Sequence, residues 1–377
     1  MKAAVASGTG QFGIRDVTLR EPSADEVLVR LDAAAMCITD TLSLDGHGLT
    51  PFPLIPGHSA TGVVEQAGTG VRRVREGDQV IVVGSAQCGN CYYCVRHSPG
   101  ACEQILGGMV RPIGVDETGV TVHADGGVAT LAEQMIYRES NVVAVQSDSP
   151  PEHLAMLGCG IVSGLGAVIE VAQVQPGDSV AVVGCGHLGL WMIQAARLAG
   201  AGTVFAVEPT ESRRLLAGRL GADVTIDPAD GNPVDSVKEL TDGRGVDVAL
   251  EAAGQTAAME QAFAMTRGGG TVVPTGMESP TATVTLPGYD FAIGSKRILS
   301  SQTGGGDIVD MIPRFAALLG AGRLSPADIV TDVYSLDEID TAVEDMRNRK
   351  GITGIVRMST TASSLSINTT TLTTGRS

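Results

Sequence analysis

Two short stretches carry side chains that hold metals: Cys37-Ile38-Thr39-Asp40 and Pro56-Gly57-His58-Ser59. A thiolate and an imidazole are donors that zinc takes, and a hydroxyl and a carboxylate stand beside the thiol. Two ligands do not make a site. Cys159, in Leu157-Gly158-Cys159-Gly160, would supply a third and leave one position open, which is the pattern of a catalytic zinc. Residue type alone leaves alternatives. A single cysteine is commonly a small core residue, and His47 and His153 are rival ligands, although the glycine-flanked loop around His47 reads as exposed.

A second group is denser. Cys88-x2-Cys91-x2-Cys94-x7-Cys102 offers four thiolates to one ion, the closed arrangement of a structural zinc. Such an ion would hold a lobe that has little core of its own. An iron–sulfur cluster would want other spacing and a following proline. The seventh cysteine, Cys185, reads as a small residue that fits a glycine turn.

That turn is Gly184-Cys185-Gly186-His187-Leu188-Gly189, set between the apolar strand Val180–Val183 and a helical stretch, Leu190–Ala199. In that context it is a dinucleotide fingerprint. The first glycine makes the turn, the second lets backbone approach a pyrophosphate, and the third lets helix and strand pack closely. The helix start offers N–H donors and partial positive charge. Glu208 ends the next strand, where a carboxylate accepts from ribose hydroxyls and repels a 2′-phosphate, favouring NAD over NADP. Arg213 and Arg214 lie nearby and weaken that preference.

These residues need a scaffold of two kinds. A chain of 377 residues exceeds one typical core. Residues 2–35, 62–64 and 78–83 read as glycine-punctuated strands, suggesting a partly closed β-barrel. After Ser149-Pro150-Pro151 a helical segment runs from Glu152 through Cys159. Strands and helices then alternate: Thr203–Val207, Ser212–Leu220, Val224–Ile226, Val234–Thr241, Val246–Leu250, Met259–Thr266, Thr271–Val273. That is the βαβ signature of a doubly wound parallel sheet. Helices at Ile308–Leu319 and Leu336–Asn348 and a strand at Ile352–Met358 follow, and 359–377 is a Ser/Thr-rich stretch expected to be a disordered tail. The net charge of −16 argues against nucleic-acid or anionic-membrane partners. The opening Met1-Lys2-Ala3-Ala4-Val5 reads as a strand, and the apolar run Val180–Ala196 as a buried strand–turn–helix. With cysteines grouped as metal ligands, the expected compartment is the reducing cytoplasm.

Taken together, these motifs resemble the zinc-dependent alcohol dehydrogenases of the medium-chain dehydrogenase/reductase superfamily. The resemblance covers about residues 1–358 and rests on Cys37-x-Thr39-Asp40, Gly57-His58-x-x-x-Gly62, the four-cysteine lobe, Gly158-Cys159-Gly160 and Gly184–Gly189. It implies a GroES-like catalytic domain at 1–160, completed by 301–358, and a Rossmann domain at 161–300. It implies Cys159 as the third ligand of a catalytic zinc, a second, structural zinc, NAD, and a homodimer or homotetramer built through the Rossmann domain. It also implies Thr39 as proton carrier and Asp40 as the group orienting His58. The expected reaction moves a hydride between an alcohol and NAD, with aldehyde or ketone in reverse. Gly84, with Val128 and Leu131 as apolar walls, suggests a roomy pocket for a bulky or long apolar alcohol.

The chain departs from many relatives at four places. Ser59 stands where they carry Glu, Ile38 and Thr353 where they carry basic residues, and Leu42 where some carry a relay histidine. The proton would then leave through water. Dinucleotide binding would be either weaker or compensated by His187. Rival readings are a relative that holds NAD tightly, as in aldehyde dismutation, and a non-catalytic zinc and dinucleotide binder.

Overall fold

The computed structural model describes residues 1–107, 110–277, 279 and 281–358. The stretch expected as a tail lies outside the described residues. Alternating small and β-branched residues build two N-terminal sheets. Lys2–Gly8, Gln11–Leu19, Leu54–Ile55, Arg111–Asp116 and Thr121–Ala124 close into a barrel. The expectation of partial closure is thereby sharpened. Beside it lies a seven-stranded sheet, ordered Val142–Ala144, Gln79–Val83, Ser59–Ala67, Glu26–Ala35, Thr353–Arg357 and Val330–Ser335, with Gln134–Arg138 also paired to Glu26–Ala35. The last strands of the described chain thus complete a sheet begun by the first hundred residues.

Register in this sheet decides where the metal-binding residues fall. Strand Glu26–Ala35 ends just before Cys37, and Ser59–Ala67 begins just after His58. The two run antiparallel with Ala34 opposite Ala60, so the end of one meets the start of the other. Ser59 in turn pairs with Val83, which brings Gly84 beside His58.

The third sheet has six parallel strands in the order Val224–Ile226, Thr203–Val207, Ser179–Val183, Val246–Glu251, Thr266–Pro274, Arg297–Ile298. Chain direction across the sheet reverses between Ser179–Val183 and Val246–Glu251, and ligands bind in the crevice beyond the strand ends at such a switch point. Gly184 turns the chain there. Its φ is +93°, and a Cβ would fall 2.8 Å from the Ala253 nitrogen.

A helix that the sequence did not suggest, Gly160–Gly166, joins the two halves. Its glycines lower helix propensity. Packing requires them: a Cβ on Gly164 would lie 2.6 Å from Trp191 Cβ, and one on Gly166 2.5 Å from the Gly304 backbone. One apolar cluster runs from Ile81 and Val83 through Leu157, Ile161 and Leu165 to Val182 and Trp191, so the halves share a core. Each such fully buried aliphatic side chain contributes about 1.5–3 kcal/mol. Cys159 is therefore held by a packed wall rather than by a loose linker.

Candidate active site and metal centres

Cys159 sits at a break between the turn Ala155–Gly158 and helix Gly160–Gly166, with φ −140° and ψ −81°. That break aims its side chain at the strand ends bearing Cys37 and His58. The three ligand atoms lie within 4.8 Å of one another, and His58 Nε2 is 3.3 Å from Cys159 Sγ. Among the described residues neither rival histidine belongs to this group, and His47 is exposed. The donor set, two sulfurs and one nitrogen, suits zinc and leaves a fourth position for another ligand.

The surrounding groups prepare these donors. Asp40 is buried and faces His58 Nδ1 at 2.7 Å, while its other oxygen accepts from the Cys37 N–H at 3.0 Å. One carboxylate thus orients two ligands, leaving Nε2 toward the metal position. Burial would lower the His58 pKa, but Asp40 and then Cys159 outweigh it and hold it well above the usual value. The Cys159 thiol and the His58 imidazole hold Cys37 well below the ordinary thiol range against burial. Thr39 Oγ1 lies 3.2 Å from Cys37 Sγ, so its hydroxyl lines the same site.

The divergent positions are spread around this centre. Ser59 turns away and donates to the Ala155 carbonyl at 2.6 Å. Ile38 and Leu42 are 49% and 42% exposed. A Cβ on Gly84 would lie 3.1 Å from His58 Cβ and 3.3 Å from its carbonyl oxygen, so the glycine lets the two strand ends pack closely at the ligand. Val128 and Leu131 are buried in the barrel core, which corrects the expectation that they wall the substrate pocket: that core claims both.

Cys88, Cys91, Cys94 and Cys102 form a second group within 4.8 Å. Four sulfurs bound tetrahedrally to one ion at about 2.3 Å would lie about 3.8 Å apart. The observed Sγ–Sγ separations include 3.6 Å for Cys88–Cys102, 3.9 Å for Cys91–Cys102 and 4.0 Å for Cys88–Cys94, and all four are free thiols. The lobe is two short turns, Cys94–Arg96 and Pro99–Ala101, that bury no residue of their own. Backbone N–H groups, that of Glu103 foremost, pull the Cys91 thiol down to about 6. Burial raises the Cys94 thiol, to about 12, and the Cys102 thiol, and a cation shared by all four sulfurs would offset that cost.

At the switch point the glycines divide their work as expected. A Cβ on Gly189 would fall 1.9 Å from the Gly184 oxygen, whereas at Gly186 the nearest atom is Arg213 Nη1 at 4.0 Å. The second glycine therefore faces open space that a ligand can approach. The helix begins at His187, inside the motif, and runs to Leu198, so His187, Leu188 and Gly189 form its first turn. Buried Glu208 accepts from the N–H groups of Cys185 at 2.8 Å and Thr210 at 3.0 Å. Arg214 is engaged with Asp227 at 2.8 Å, while Arg213 reaches the Gly351 and Arg349 carbonyls. His187 Nδ1 meets Thr353 Oγ1, and burial lowers its pKa below the ordinary histidine value.

Sequence reasoning passed over Glu251. It ends strand Val246–Glu251, is buried, and accepts from Ala253 and Gly254 N–H groups at 2.7 Å each, so it shapes the loop beside Gly184. A carboxylate closing an otherwise apolar strand end, Val248-Ala249-Leu250-Glu251, was the available signal.

The model of the alcohol dehydrogenase GroES-like domain matches residues 23–147, and that of the zinc-binding dehydrogenase matches residues 188–318. An NDMA-dependent alcohol dehydrogenase of Amycolatopsis methanolica is 32% identical, covering 94% of this chain and 98% of its own. A geraniol dehydrogenase of Castellaniella defragrans is 35% identical, covering 89% and 91%. The crystal structure of benzyl alcohol dehydrogenase from Acinetobacter calcoaceticus superposes with a TM-score of 0.87 at 32% identity, over 95% of this chain and 99% of that one. The chain belongs to the zinc-type medium-chain alcohol dehydrogenases, and is an oxidoreductase with a GroES-like and a Rossmann-like half.

Proposed function

We propose that this protein oxidises an apolar primary or secondary alcohol to the aldehyde or ketone, reversibly, with NAD as hydride acceptor. The observation that carries this reading is the convergence of Cys37, His58 and Cys159 within 4.8 Å beside the glycine turn. Zinc held by these three residues supplies Lewis acidity toward the alcohol oxygen, and NAD held at Gly184–Gly189 supplies the hydride acceptor. The substrate loses a hydride from carbon and a proton from oxygen. Thr39 Oγ1, at the thiolate of Cys37, is the hydroxyl that takes up that proton and hands it on, and exposed Leu42 leaves its exit to water. Asp40 keeps His58 in the ligating orientation. A second zinc, in the four-cysteine lobe, is structural.

Buried, doubly anchored Glu208 supports NAD over NADP, since a fixed carboxylate opposes a 2′-phosphate. A bulky apolar alcohol is in line with the names of the geraniol and benzyl alcohol enzymes the chain resembles. A homodimer or homotetramer through the Rossmann half is supported by exposed Tyr289 and Ile293, on the helix Gly288–Ile293 that precedes edge strand Arg297–Ile298. Seven free cysteines support a cytoplasmic site. A second reading, in which NAD is retained between turnovers, is favoured by the NDMA-dependent relative.

An alcohol panel assayed with both NAD and NADP, beside a zinc count, tests this. NADH formation with two zinc ions per chain is the expected result. No reduction of either dinucleotide would refute the main reading, and NAD that survives gel filtration would favour the second.

A further inference from the structure

Ser59 follows His58 directly and is fully buried. Its hydroxyl donates to the Ala155 carbonyl at 2.6 Å, 96 positions away. Ala155 opens the turn Ala155–Gly158, and the residue after that turn is Cys159. The turn closes weakly on itself, since the Cys159 N–H reaches the Met156 carbonyl only at 3.4 Å, beyond the ordinary hydrogen-bond range. It is instead seated on the sheet. A Cβ on Gly158 would fall 2.1 Å from the Val82 carbonyl oxygen and 2.7 Å from Ser59 Oγ.

Ser59 is paired with Val83 in the sheet, so its hydroxyl fastens the turn to the strand ends that present His58. Asp40 anchors Cys37 and His58, and Ser59 adds an anchor for the segment that ends at Cys159. A ligand held on a fixed segment has less freedom to lose when a metal binds and less freedom to swing off it. Without the hydroxyl, the Ala155 carbonyl loses a buried donor and the turn loses that hold.

We propose that Ser59 is a positioning residue for the third metal ligand: its bond to the Ala155 carbonyl fixes Cys159 relative to His58 and slows the loss of zinc from that site. The inference rests on the reading of Cys37, His58 and Cys159 as a zinc site given above.

Ser59→Ala removes one oxygen and adds nothing. Thr61→Val is its control: Thr61 is as deeply buried on the same strand and donates to the Val80 carbonyl at 3.1 Å, but Val80 lies in strand Gln79–Val83, which carries no metal ligand. Zinc-loaded protein is mixed with excess chromogenic chelator and the loss of each ion is timed. The phase absent from His58→Ala belongs to the Cys37–His58–Cys159 site. Cobalt(II) placed at that site reports its geometry through its visible spectrum. Ser59→Ala is expected to lose that ion about ten-fold faster and to shift the cobalt spectrum, with the four-cysteine ion unaffected and Thr61→Val matching the unaltered protein. Zinc loss within two-fold of the unaltered protein, an unshifted cobalt spectrum, equal acceleration at both sites, or equal acceleration in Thr61→Val would each overturn the positioning role. If the unaltered protein holds no ion that His58→Ala removes, the zinc reading itself fails, and this one with it.

Discussion

His58 and Asp40 face each other at 2.7 Å, Nδ1 to Oδ1, although one precedes a strand and the other opens the short helix Asp40–Leu44. The same carboxylate holds the Cys37 N–H, so a single buried group orients two ligands contributed by different parts of the sheet. Asp40→Asn keeps the shape and removes the charge. Affinity at the Cys37–His58–Cys159 site is expected to fall about 10- to 100-fold, with the four-cysteine site unaffected. Zinc counted after dialysis against graded chelator measures this, and retention of both ions at unaltered affinity would count against the orienting role.

Thr39 is close enough to Cys37 to line the site without being a ligand. Thr39→Val is expected to lower kcat by about 10²-fold or more while zinc content holds, and Thr39→Ser to recover most of it. Full turnover in the valine variant would remove the proton-carrying role.

The lobe Cys88–Cys102 has no core beyond its sulfurs. Cys91→Ser is expected to release one zinc ion per chain and open the lobe to limited proteolysis, because the metal supplies the folding energy there. A variant that keeps two ions and resists cleavage would show that the lobe folds without its metal.

Glu26 is buried and accepts from Arg20 at 2.6 Å and 2.8 Å, from the Ser23 N–H at 2.8 Å, and from Arg111 at 2.5 Å. Burial alone would raise its pKa, but the Arg20 bond, the Ser23 N–H and Arg111 together bring it from 4.5 to about 2. A depressed carboxylate contributes stability that is present above its unfolded pKa and disappears as pH falls through 4.5 toward 2. Glu26→Gln is expected to lower stability by about 3 kcal/mol at pH 7 and to flatten the acid limb of the stability curve. Denaturant melts at pH 7 and pH 3 check it: an equal deficit at both would rule out the charge as its source.

Some of this protein was written in contiguous residues. The four-cysteine lobe was legible because its ligands share one loop, and spacing along a loop is spacing in space. The glycine turn was legible because strand, turn and helix follow one another, so each glycine's task depends on neighbours a few positions away. The alternation of strands and helices after residue 179 was legible for the same reason, since side-chain periodicity is local.

Tertiary structure alone decided the rest, because contacts that join distant segments leave no pattern in either one. Cys159 and His58 are 101 positions apart, and they meet through sheet register and a break after Gly158. Val128 and Leu131 are apolar wherever they lie; the barrel, not their type, put them in its core. Helix Gly160–Gly166 escaped notice because glycine disfavours helices, and what it gains is close approach to Trp191 and Gly304, which belong to other segments. Likewise, Thr353 reads in sequence only as a missing basic residue. In the fold it is the partner of His187, since it opens the strand Thr353–Arg357 that pairs with Glu26–Ala35.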